Sequence, residues 1–425
     1  MRAFGPGRRP ELDRESEEAV TSPDPNALAM ADAVAESLSS PEAVTVQGWP
    51  QALADGAAGI ALLHVERARS GRADWATAHA WLRVATSGPV TAAANAGLFF
   101  GAPALAYIVQ AAAGQAARYR HALASLSEAT IVITRVRLAA AHARMDRAER
   151  PTMKEFDLVR GLAGLGACHL GLHPEHEITG DVLRCLVRLT EPPDRAGELP
   201  PWWTDVSPDG KPDPRYPGGH GNFGMSHGIS AVLALLSLAL VRDLPVPGGG
   251  EAIRRICAWT DQWRHGDTAG TWWPGFITTD QVHARRIDPV AQPRPSWCYG
   301  IAGVARAQQL AGLALQDTER QRVAENSMLC ALCDRAQVEQ LREIGLCHGT
   351  AGLLQAAWRM AADAQGGEIN AEIPRLAARV AEQLAGLGVA DPGLMDGAAG
   401  AALALHTVGT GSVRADGWDA FLLLS

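Results

Sequence analysis

The sequence predicts an all-α protein: seven helical hairpins closed into a double-layered ring, whose inner helices start at GxxG or GxxA motifs. Three observations carry this. Beyond the first 25 or so residues, the 425-residue chain is rich in Ala and Leu, with few β-branched runs and no sustained alternation. Segments such as 27–38, 118–144, 304–315 and 373–387 space their apolar residues at three and four, the period of a helix that buries one face. A glycine followed three residues later by Gly or Ala, then an Ala/Leu-rich stretch, recurs seven times.

The first glycines of the repeats are Gly56, Gly101, Gly161, Gly228, Gly300, Gly349 and Gly397. The segments run from DGAAGIALL at Asp55 through YGIAGVARA at Tyr299 and HGTAGLLQA at His348 to DGAAGAALA at Asp396. Their separations are 45, 60, 67, 72, 49 and 48 residues. The shorter units hold two helices of ordinary length and two short connections. Small residues at a first turn let helix ends crowd, and glycine leaves backbone N–H groups open there. Seven such starts point to a closed ring, with the glycine-bearing helices around the centre and their N-termini gathered at one end. An open solenoid is the alternative, although solenoids rarely crowd every repeat with glycine. The second repeat is irregular, with Pro103 and no second glycine.

Ahead of the repeats, residues 1–25 are rich in Pro, Gly and charge and lack periodicity, which reads as a mobile arm. Residues 26–425 read as a single domain with loop insertions at about 196–222 and 265–297. The stretch from Pro200 to Pro217 holds six prolines, and seven of the twelve tryptophans lie between 202 and 297. Loops of this composition cap a ring or wall a cleft.

Composition excludes several function classes. The net charge of −8 and pI near 5.9 argue against a nucleic-acid or anionic-membrane binder. One of the longest apolar stretches, Ile229 to Val241, falls short of the roughly 20 residues of a membrane span. The first 20 residues have no apolar core, so no secretory signal is expected. Seven cysteines is an odd and sparse set, which favours reduced thiols and a cytoplasmic protein.

Aligning the repeats on their first glycine exposes the chemistry. The residue before it is Asp55, Phe100, Arg160, His227, Tyr299, His348 or Asp396. The residue before that is Ala54, Phe99, Val159, Ser226, Cys298, Cys347 or Met395. Repeats five and six thus place a cysteine in one column, at the mouths of adjacent inner helices roughly 8–10 Å apart. Their sulfurs can reach a shared metal, and His348 can supply a third ligand. Two thiolates and an imidazole favour one zinc ion by ligand softness, and three protein ligands leave a fourth position open. Two buried core cysteines are the bland alternative. His227 shares the mouth and is a candidate general acid or base. Asp157 can reach the same rim or act as a plain cap. Tyr299 can donate a hydrogen bond or close its turn, and Arg294 can steady an anion or pair with an acid. Asp55 and Asp396 read as caps. Cys168, Cys185, Cys257, Cys330 and Cys333 read as core.

The stretches SHGISA (226–231), WCYGIAG (297–303), LCHGTAG (346–352) and GWDAFLLL (417–424) resemble the lanthionine synthetase C-like proteins, the lanthipeptide cyclases. The resemblance implies an α/α toroid with zinc at one end of the inner barrel, held by Cys298, Cys347 and His348. It implies zinc-dependent addition of a precursor peptide's Cys thiols to dehydroalanine or dehydrobutyrine, giving (methyl)lanthionine. By the same resemblance His227 and Asp157 are acid–base residues, with Tyr299 and Arg294 around them. A dehydrated precursor peptide is the implied partner. A separate dehydratase and a transporter are further implied partners, in an assembly at the membrane. Other readings are a glutathione-adding relative acting on dehydroamino acids in proteins, a zinc-stabilised peptide-binding module without catalysis, and an α/α-barrel glycosidase. The last needs paired carboxylates at the mouth.

Overall fold

The computed structural model describes residues 23–112, 118–192, 199–207, 211–212, 214, 216–267, 270–287, 292–412, 414 and 417–425. The expected N-terminal arm lies outside the described residues up to position 22. Parts of both expected insertions do too.

The described residues form seventeen α-helices. In chain order they are α1 (Pro25–Ser37), α2 (Ala57–Arg69), α3 (Trp75–Ala85), α4 (Ala102–Ala112), α5 (Arg120–Asp146) and α6 (Met153–Phe156). They continue with α7 (Leu162–Leu172), α8 (Glu177–Leu189), α9 (Ile229–Val241), α10 (Gly249–Gln262), α11 (Thr279–Ala284) and α12 (Ile301–Leu315). The last are α13 (Thr318–Cys333), α14 (Arg335–Glu339), α15 (Thr350–Asp363), α16 (Glu368–Leu387) and α17 (Ala398–Thr410).

Two kinds of helix alternate, and their sequences explain why. Outer helices α1, α3 and α13 begin at Asp24, Asp74 and Asp317, whose carboxylates accept from first-turn N–H groups. Inner helices α2, α7, α9, α12, α15 and α17 begin at a repeat glycine with no side-chain cap. Inner helices are also buried nearly all round: in α9 every residue from Ile229 to Ala239 is buried. Such a helix needs protein on every side.

The ring supplies it. α2, α4, α7, α9, α12, α15 and α17 contact one another in that order, and α17 returns to α2. This is the closed α/α toroid, and the solenoid alternative is excluded. Each inner helix packs on the outer helix that follows it, except that α17 packs on α1. The first outer helix thereby serves the last repeat.

The lumen is filled by the chain's last described segment. A 3₁₀ turn at Trp418–Leu422 and the residues after it are buried. Asp419 pairs with Arg359 through two 2.6 Å contacts and accepts from Gln355. The Leu422 and Leu424 carbonyls accept from Trp297 and Arg306. GWDAFLLL is therefore a plug that cross-ties inner helices.

The second glycine of each motif has a steric reason. A Cβ at Gly59, Gly164, Gly303, Gly352 or Gly400 would run into the carbonyl oxygen of Leu53, Leu158, Trp297, Leu346 or Leu394. Each oxygen lies three residues before the first glycine, so every turn folds tightly over the helix it starts. Gly101 is the exception that needs glycine for its backbone, at φ +76°.

The unit from Gly101 spends its extra length on the 27-residue α5. The longer units carry strands that the sequence did not announce. β1 (His220–Asn222) pairs antiparallel with β4 (Phe276–Thr278), and β2 (His265–Asp267) with β3 (Gly270–Trp272). The two expected insertions are thus joined to each other by β1 and β4.

Candidate metal centre

The turns that precede the inner helices are stitched together by backbone hydrogen bonds around the ring mouth. Leu158 N–H donates to Ser226 O at 3.2 Å, Ser226 N–H to Cys298 O at 3.3 Å and Cys298 N–H to Cys347 O at 3.0 Å. Cys347 N–H donates to Met395 O, Met395 N–H to Ala54 O and Leu53 N–H to Phe99 O, each at 2.9 Å. The aligned column of the sequence is therefore a physical circlet, and Cys298 and Cys347 are bonded neighbours in it.

Ligand atoms of Cys298, Cys347 and His348 all lie within 4.8 Å of one another. Sulfurs at Zn–S distance from one tetrahedral ion would stand about 3.8 Å apart, so this donor set fits zinc in chemistry and in span. Cys298 is buried, whereas Cys347 and His348 are half-buried and face the mouth. One thiol ionises well below the usual range because the other donates to it, and the second is held above that range for the same reason. Ser296 Oγ lies 3.5 Å from Cys298 Sγ, and Asp396 Oδ1 lies 3.5 Å from His348 Nδ1.

His227 and Asp157 meet one turn further round. His227 Nδ1 and Asp157 Oδ2 are 2.6 Å apart, and Asp157 is fully buried. The other carboxylate oxygen accepts from Arg160 N–H at 2.6 Å. The Tyr299 ring lies 6.4 Å from that of His227 and 4.9 Å from that of Phe276. Burial, chiefly, pushes the Tyr299 phenol above its ordinary range, so it is protonated at neutral pH. Arg294 pairs with Glu343 at 3.2 Å. A cleft of about 430 Å³ opens onto Cys298, walled by Tyr216, Phe276, Arg294, Ser296 and Tyr299. A larger cleft of about 1210 Å³, with Arg69, Tyr107, His173 and Trp418, opens among the C-terminal ends of inner helices and touches none of these residues.

A family model for the lanthionine synthetase C-like protein matches residues 48–423. The chain belongs to that family. This lanthionine synthetase C-like protein is 21% identical over 211 residues to the nisin biosynthesis protein NisC of Lactococcus lactis subsp. lactis. That match spans 49% of this chain and 49% of the relative, about half the length of each. The solved structure of nisin cyclase superposes with a TM-score of 0.76 at 18% identity, covering 94% of this chain and 98% of the other. That likeness shows the toroid fold.

In the family's fold, the structure brings together Cys298, Cys347, His348, His227, Asp157 and Tyr299 at one mouth. Arg294 is at the rim, held by Glu343. Some readings are corrected. Asp396 and Asp55 do not cap: Gly397 and Gly56 are the N-cap residues, with no side-chain cap bond, and Asp396 faces His348 instead. Cys333 is exposed and Cys330 half-buried near the end of α13, because that face of an outer helix looks away from the ring. Cys168, Cys185 and Cys257 are core, and burial pushes each thiol up to about 12. Among the described residues no helix is long and apolar enough to cross a membrane.

Proposed function

We propose that this protein is a zinc-dependent lanthipeptide cyclase, with residues 26–425 acting as one domain. The observation that carries the reading is the Cys298–Cys347–His348 cluster at a mouth shared with the Asp157–His227 pair. Zinc held by those three residues would supply the Lewis acidity to make a peptide thiol a thiolate near neutral pH, where a free thiol of pKa about 8.5 is mostly protonated.

The remaining chemistry falls to the chain. The peptide sulfur bonds to the β-carbon of a dehydroalanine or dehydrobutyrine, the C=C π pair moves to the α-carbon, and that carbon takes a proton. No atom is lost, so mass is unchanged. In this reading His227, held by Asp157 at 2.6 Å, carries the proton. The protonated Tyr299 and the rim Arg294 face the charge that develops on the adjacent carbonyl oxygen. The aromatic cleft beside Cys298 holds the peptide and excludes water. The substrate's dehydroamino acids must come from a dehydrating activity acting upstream.

The test incubates zinc-loaded protein with a dehydrated, cysteine-containing peptide and counts alkylatable thiols. The expected result is their loss, with Cys298→Ala losing both zinc and activity. Retention of every reactive thiol would sink the cyclase reading, and retention of full zinc by Cys298→Ala would sink the ligand assignment. A parallel reaction with glutathione and a dehydrated protein separates the glutathione-adding alternative.

A further inference from the structure

The backbone circlet is continuous through six of its seven junctions. Between the second turn, residues 91–101, and the third, residues 157–161, no backbone hydrogen bond crosses. Gly97 comes close to the carbonyls of Val159 and Arg160 without bonding to them. The third turn is the one that carries Asp157.

Among the described residues, one side chain hydrogen-bonds to both sides of this seam. Arg137, half-buried on α5, donates through one amino group to Arg160 O and through the other to Ala94 O and Ala96 O, both at 2.7 Å. Its charge lies within electrostatic range of Asp157. Two turns along the same helix, Arg144 grips Glu155 through contacts of 3.1 and 2.6 Å. Asp157 lies between Glu155 and Arg160, so α5 holds the segment on both sides of it. The length that the second repeat spends on this helix reaches the seam.

We propose that Arg137 is a positioning residue for the Asp157–His227 pair, replacing with its guanidinium the backbone bond that the circlet lacks. The planar fork satisfies carbonyls on both sides of the junction at once. A lysine ammonium in its place has neither the reach nor the fork. The assignment rests on the proposed role of that pair in thioether formation.

The experiment compares wild type with Arg137→Ala and Arg137→Lys, the latter keeping the charge if the former folds poorly. Three quantities are read: zinc content, kcat and KM for loss of peptide thiol, and amide hydrogen exchange. Zinc content is expected to be unchanged. A misplaced acid–base pair should lower kcat by about 10–100-fold in both variants with KM within about twofold. Exchange should quicken at the Arg160 amide, which donates to Asp157, and stay unchanged at the Cys298 and Cys347 amides. Wild-type kcat in both variants overturns the proposal. So does exchange that quickens equally at Cys298 and Cys347, since Arg137 would then be a general support of the fold. If wild type itself consumes no thiol, the cyclase reading fails, and the exchange pattern alone decides whether Arg137 holds the seam.

Discussion

Two imidazoles at the mouth are each met by a carboxylate: Asp157 lies 2.6 Å from His227 and Asp396 lies 3.5 Å from His348. Under the proposed function the first contact would fix a ring that carries a proton, and the second would steady a metal ligand. Asp157→Asn should lower kcat by about 10²-fold or more and leave metal content intact. Asp396→Asn should weaken metal affinity by about 10–100-fold, measured by competition with a chelator, as loss of a ligand's supporting partner does. Equal effects of the two substitutions on metal content would contradict this division. The sequence column revealed Cys298, Cys347, His348 and His227, because register alone brings them to the mouth. Asp396 stands in the same column, but a helix-start aspartate looks the same in sequence whether it caps or, as here, faces a neighbour. Its signal was the ring order, which puts the seventh turn beside His348. Arg137 gave no local signal: it is one arginine in a long helix, and its meaning lies in a junction far off in sequence.

Helix periods were legible where one face is polar, and less so where none is. The inner helix at Ile301–Leu315 begins three residues before the spacing signal does, because its first turn is small and uniformly apolar. The three-residue strands β1 and β4 are too short to show alternation, so their pairing was invisible. The repeat glycines, by contrast, were both visible and explicable. At Gly303 an added Cβ would meet the Trp297 carbonyl and Met225 Cβ, and Trp297 adjoins Cys298. Gly303→Ala should therefore destabilise the fold by about 1–3 kcal/mol in urea titration, as overpacking does, and should release metal more readily. Unchanged stability with unchanged metal release would show that the turn can yield without cost.

Acid should destabilise the whole ring, for a reason set by its core. Burial pushes His64 and His406 down to about 4, and His169 to about 3, so all three are neutral in the folded molecule. Unfolded, they protonate near 6.5. Between those values the unfolded chain binds more protons, so stability falls as pH drops from about 6.5 towards 4. Each histidine adds up to about 1.4 kcal/mol per pH unit to that slope. The urea midpoint should be clearly lower at pH 5 than at pH 7, and His64→Gln should flatten the difference; equal midpoints would contradict the account. Closure of the inner ring follows from the repeats, whereas the partner that covers the last inner helix does not, because it depends on contact between α1 and α17, nearly a chain length apart. That contact also has a temporal meaning. During synthesis α1 emerges before the repeats that separate it from α17, so the face it packs on α17 stays uncovered until that helix follows. Until then the annulus stays a horseshoe with a sticky free end, exposed to chaperones and to other nascent copies, and a stalled ribosome would leave it so.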